Sequence, residues 1–145
     1  MKKRLIFLGG TIANNPWRYD VIRTLLQNGV LKSEIFDPIV PDWDDAARER
    51  EAQAKARATY LLFYIADPGQ KGNSISAYSI AETVVSLYEN PRRTLVVFDM
   101  KDMEGHPLKA MQGVYDRLKE LFPDNIFETL DDAVGWLVEK MGRST

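Results

Sequence analysis

Residues 59–66 read TYLLFYIA, an unbroken apolar run rich in aromatic and branched side chains. A strand that is apolar on both faces has no side to offer to water, so it belongs inside a sheet covered from above and below. RTLVVFDM (93–100) has the same character, and RLIFLGG (4–10) is a buried-strand run that ends in glycines. IFDPIV (35–40) is weaker and is interrupted by Pro38, which suits a sheet edge. NIFE (125–128) makes a short fifth strand.

Between these runs the hydrophobic period becomes helical. In PWRYDVIRTLLQNG, Pro16 stands near a helix start, Val21, Ile22, Leu25 and Leu26 form its apolar side, and Gly29 is a stop. The alanine-rich, charged segment 44–58 favours helix by propensity, and its charges read as a solvated face. Residues 75–88 put Tyr78, Ala81, Val84, Val85 and Tyr88 on one helical face, with Tyr78 expected in the core. Residues 107–122 and the segment from Leu130 to Met141 complete the set as amphipathic helices. Five strands alternating with five helices predict an α/β fold. The expected form is a flavodoxin-like, Rossmann-like three-layer sandwich with a parallel sheet in the order 2-1-3-4-5. No repeat, low-complexity tract or linker divides the chain, so residues 1–145 are expected to form a single domain.

Composition narrows the function classes. A net charge of -2 gives no electrostatic case for a nucleic-acid duplex or an anionic membrane as partner. No apolar run approaches the roughly 20 residues needed to cross a bilayer. The apolar part of MKKRLIFLGG is too short for a secretory signal, so a cytoplasmic protein is expected. There is no cysteine, and the one histidine, His106, falls in a polar stretch before Pro107 and is expected at the surface. A thiolate metal site and a Ser-His-Asp triad are therefore unsupported, and neither metal nor cofactor is expected.

Open parallel sheets bind ligands beyond the carboxyl ends of their strands, near the point where strand order reverses. The segments predicted at that edge are GGTIANNPWR, PDWDD, ADPGQKGNS and DMKDMEGH. In the first, Gly9, Gly10 and Thr11 let backbone approach a ligand, or simply make a tight turn; neither G-x-G-x-x-G nor a P-loop is present. In NSISAYSIAETV (73–84), Ser74, Ser76 and Ser79 cap the following helix or hold a sugar or phosphate. Trp43, between Asp42 and Asp44, suits stacking on a nucleobase, or plain packing beside an N-cap. Glu82 sits early in a helix beside the predicted switch point, where a carboxylate is either a solvated charge or a reactive group.

FLGGTIANNPWR, FDPIVPDWDDAA and YSIAETV, with IFETLDDAVGWL closing the chain, together resemble the nucleoside 2-deoxyribosyltransferase-like family, in its short bacterial and phage branch. The resemblance implies cleavage of the N-glycosidic bond of a nucleoside or nucleotide, with sugar transfer to another base or to water. It implies a glutamate nucleophile at the position of Glu82. It implies a sugar and base pocket lined by the first loop (Gly9, Gly10, Thr11, Asn14, Asn15, Trp17) and by Asp42 and Trp43, with Ser76, Tyr78 and Ser79 nearby. Characterised transferases carry an aspartate upstream of the nucleophile in an Asp-x-Gly-Thr-like pattern. Here Ser76 and Ser79 stand at those places, which leaves Asp42 or Asp67 to handle the proton of the leaving base. The resemblance further implies a homo-oligomer, with Tyr78 and Tyr88 extending an apolar face into an interface. The alternative is a catalytically weak module that senses a nucleotide, or serves a partner subunit, through the same pocket.

Overall fold

The computed structural model describes residues 3–11, 16–39, 44–69 and 76–142. Five parallel strands, β1 (Ile6–Gly10), β2 (Ile35–Phe36), β3 (Tyr60–Ala66), β4 (Thr94–Asp99) and β5 (Ile126–Phe127), form one sheet in the order β2-β1-β3-β4-β5. Five helices alternate with them: α1 (Trp17–Gln27), α2 (Asp45–Arg57), α3 (Ala77–Glu89), α4 (Gly105–Leu121) and α5 (Leu130–Met141). This is the predicted α/β class, strand order and layering. The Pro38-interrupted run supplies the two-residue edge strand β2, paired with β1 through Ile6 and Phe7.

The two-residue period of a strand sorts the core into two layers. Leu62, Tyr64 and Ala66 of β3 point to the side covered by α1 and α5, where they meet Trp17, Leu25, Leu137 and Met141. Leu61, Phe63 and Ile65 point to the side of α2, α3 and α4, among Ala54, Leu87, Met111 and Leu118. β3 is central because it is buried along nearly its whole length; a polar side chain on either face would lose its water without compensation.

Two helices depart from the sequence expectation. The inward face of α3 carries Thr83, Ser86 and Leu87, whereas Tyr78, Val85 and Tyr88 are 63%, 50% and 62% exposed. Hydroxyls can face the sheet here because they are satisfied. Thr83 donates to the carbonyl of Ser79, and the Ser86 and Thr94 hydroxyls pair at 2.8 Å. Of the expected stripe, Tyr78, Val85 and Tyr88 therefore lie outside, while Val84 packs against the core. In α2 the buried residues are Ala47 and Ala54, and Glu51 and Lys55 share their inward side, so this helix is not simply a solvated charged face. His106 is exposed as expected, although it belongs to the first turn of α4.

Candidate functional site

A cavity of about 520 Å³ opens at the carboxyl ends of β1 and β3, on the side of α2 and α3. That is the switch point of the sheet, and the volume lies within the span usual for small-molecule sites. Phe7 and Phe63 make its apolar floor and Pro38 and Ile39 one wall. Gly9 and Gly10 are needed there. A Cβ on Gly9 would lie 2.7 Å from the Phe63 ring. One on Gly10 would lie 2.1 Å from the carbonyl of Tyr64, at a φ of +114° that side chains resist.

The chemistry-bearing groups come from α1, α2 and α3. Ser76 caps α3 by accepting from the amide of Ser79, which sets where the helix begins. From that start, Tyr78, Ser79 and Glu82 all reach the cavity wall. Lys55 Nζ meets Glu82 Oε2 at 2.5 Å and lies 3.8 Å from Glu51 Oε1, and the Lys55 and Glu82 side chains are only 21% and 27% exposed. Tyr78 donates its hydroxyl to the Glu82 carboxylate, a bond that pushes the Tyr78 pKa up to about 12 because ionising the phenol would set two anions together. Glu82 is the sixth residue of α3, beyond the first turn where the helix dipole acts, and its direct partners are Lys55 and Tyr78.

Glu51 is the group that sequence reasoning missed. Burial, with the Glu82 charge beside it, moves its carboxyl above the usual range, against the opposing pull of Lys55 and Arg18. Two carboxylates thus face one cavity in different electrostatic settings. The available signal was spacing: Glu51 and Lys55 fall on the same helical stripe as Ala47, Ala54 and Ala58, whose small side chains let α2 approach the sheet.

Arg18, also missed, lines the cavity from α1. Its guanidinium donates to the carbonyls of Leu8, Gly10 and Thr11, and it lies 3.7 Å from Asp37. Burial lowers its pKa to about 10, with Asp37 and Glu51 opposing. It fixes the end of β1 and brings a positive charge to the cavity.

The remaining candidates fall elsewhere. Trp17 is buried on the other face of the sheet, its ring 5.1 Å from Tyr64 and its indole N–H donating to the carbonyl of Thr11. Thr11 is buried too, and its hydroxyl bridges to the backbone of Ala66. Both shape the β1 edge rather than line the cavity. Asp67 accepts from the amide of Gly69 and lines a separate cleft with Tyr64, Asp99 and Lys101. Asn14, Asn15, Asp42, Trp43 and Ser74 lie outside the described residues. Among the described residues no cluster of three or more histidine or acidic side chains could hold a metal ion. None of the described helices is long and apolar enough to cross a membrane.

The fold is an open α/β sheet with a cavity at its switch point. Residues 3–101 match the family described as nucleoside 2-deoxyribosyltransferase like, and the chain belongs to that family. No curated protein and no solved structure matches the chain.

Proposed function

We propose that the protein cleaves the N-glycosidic bond of a nucleoside or nucleotide, passing the sugar to another base or to water. Family membership supports enzymatic chemistry of this broad kind. The observation that carries the finer reading is the pairing of Glu82 with Glu51 across Lys55 at one cavity. In this reading Phe7, Phe63, Pro38 and Ile39 receive the flat, apolar base, and Ser79 meets the sugar. Glu82, paired with Lys55 and Tyr78, attacks the anomeric carbon as the bond to the base breaks. Glu51, held toward its protonated form, gives its proton to the departing base nitrogen. The second half reverses the roles: an acceptor base or water attacks the sugar ester, the Glu82 carboxylate leaves, and the acceptor's proton returns to Glu51. Asp67 faces another cleft, so Glu51 is the better-supported proton donor. No step requires a cofactor.

One observation favours the binding-module alternative: in the free protein Glu82 is already engaged by a lysine and a phenol, which blunts a nucleophile. Incubation with a panel of deoxynucleosides, ribonucleosides and their 5′-nucleotides separates the two. Free base appearing with wild-type protein supports the enzyme. Saturable binding without release of base from any member of the panel supports the module.

A further inference from the structure

A second cleft, of about 790 Å³, lies at the opposite edge of the sheet, where β1 and β3 begin and α2 ends. Lys3, Arg4, Arg57, Arg92 and Arg93 line it, and among the described residues no carboxylate does. In a chain of net charge -2 this is a marked local excess. Arg4 is compensated, since its guanidinium pairs with Glu34 at 3.1 Å. Arg93 is not: it donates to the carbonyl of Ala58 at 2.6 Å and to the side chain of Asn90, both neutral. Together these bonds orient its guanidinium, and the first also satisfies a carbonyl at the end of α2 that faces the cleft. Among the described residues nothing pairs with Lys3, Arg57 or Arg92. Lys3, Arg57, Arg92 and Arg93 therefore bring four positive charges to one concave surface with no carboxylate paired to them among the described residues.

We propose that this cleft binds a polyphosphate anion, two or more linked phosphates, whether inorganic or carried by a nucleotide. Guanidinium groups match phosphate oxygens in geometry and charge, and several of them around one cavity favour a ligand with several charges over a single phosphate. Backbone amides do not contribute in the manner of a P-loop, because the strands enter here by their amino ends and the helices leave by their carboxyl ends. The side chains carry the recognition, so binding should be strongly salt-dependent.

Calorimetric titration of the whole protein with tripolyphosphate, a nucleoside triphosphate, orthophosphate and a short DNA duplex tests this. Tripolyphosphate should bind about tenfold or more tightly than orthophosphate, and should weaken as salt rises from about 50 to about 200 mM. The double reversal Arg57→Glu with Arg92→Glu should cost about tenfold or more, while lysine at both positions should keep affinity within a few-fold. Circular dichroism reports whether either variant has lost its fold. Equal binding of the inorganic and nucleoside forms would show that the phosphates alone are read; tighter nucleotide binding that the reversal still abolishes would show that the base is read as well. Absence of binding, binding unchanged by the reversal, or preference for the duplex would overturn the proposal. So would nucleotide binding that survives the reversal while tripolyphosphate fails to bind, since the nucleotide would then occupy the other cavity.

Discussion

A carboxylate can attack an anomeric carbon only while it is ionised, and it can protonate a leaving base only while it holds a proton. Burial moves the Glu51 carboxyl toward the form that the second task requires, and its sequence position does not announce it. A raised carboxyl pKa in the folded state means that stability is present below the unfolded value and is lost as pH climbs through the folded one. Glu51→Gln removes that loss. Its unfolding temperature should equal or exceed that of the wild type near neutral pH, with the difference closing toward about pH 4, while base release falls sharply. A variant less stable than wild type at neutral pH would show that the Glu51 charge supports the fold. Lys55 opposes the rise of the Glu51 pKa, so Lys55→Met should move the limb of the pH–rate profile that reports Glu51 upward; an unmoved limb would remove Lys55 from the account. Gly10→Ala, with its Cβ driven onto the Tyr64 carbonyl, should cost about 3 kcal/mol in denaturant unfolding.

At the scale of elements, α2 and α3 explain why the site was only partly legible. The position of Glu82 at the cavity was readable because a helix following β3 of a parallel sheet starts at the switch point, and the Ser76 cap fixes its beginning. Glu51 was not, because α2 packs through alanines, and a stripe of small residues among charges is a far fainter mark of an inner side than an apolar one. The stripe of α3 misled for the converse reason. Thr83 and Ser86 face inward with their hydroxyls satisfied, so the aromatic stripe was free to lie outside. That outer face, with Tyr78, Val85 and Tyr88 exposed and Tyr88 set edge-on against Phe122, runs from the cavity along the helix. We expect it to meet a second copy of the chain. Light scattering at micromolar concentration should give a mass above the 16.6 kDa of one chain, and Val85→Arg should reduce it to that value. A wild-type protein of single-chain mass would refute the interface.

For the molecule as a whole, strand order and layering were legible because burial on both faces leaves β3 and β4 one place to go, the middle of a covered sheet. Side-chain pairings across elements, such as Lys55 with Glu82, depend on distances that no local pattern encodes. If the chain is one domain, calorimetry should record a single transition whose van't Hoff and calorimetric enthalpies agree; two separated transitions would contradict that. The central claim concerns Glu82, and a covalent sugar ester tests it most directly. Wild-type protein mixed with a substrate nucleoside, quenched rapidly in acid and digested, is analysed by mass spectrometry beside Glu82→Gln. The account predicts a sugar adduct on the peptide that carries Glu82, formed in step with a burst of free base. In Glu82→Gln it predicts no adduct and a rate lower by several orders of magnitude. A Gln variant that releases base at the wild-type rate would contradict it.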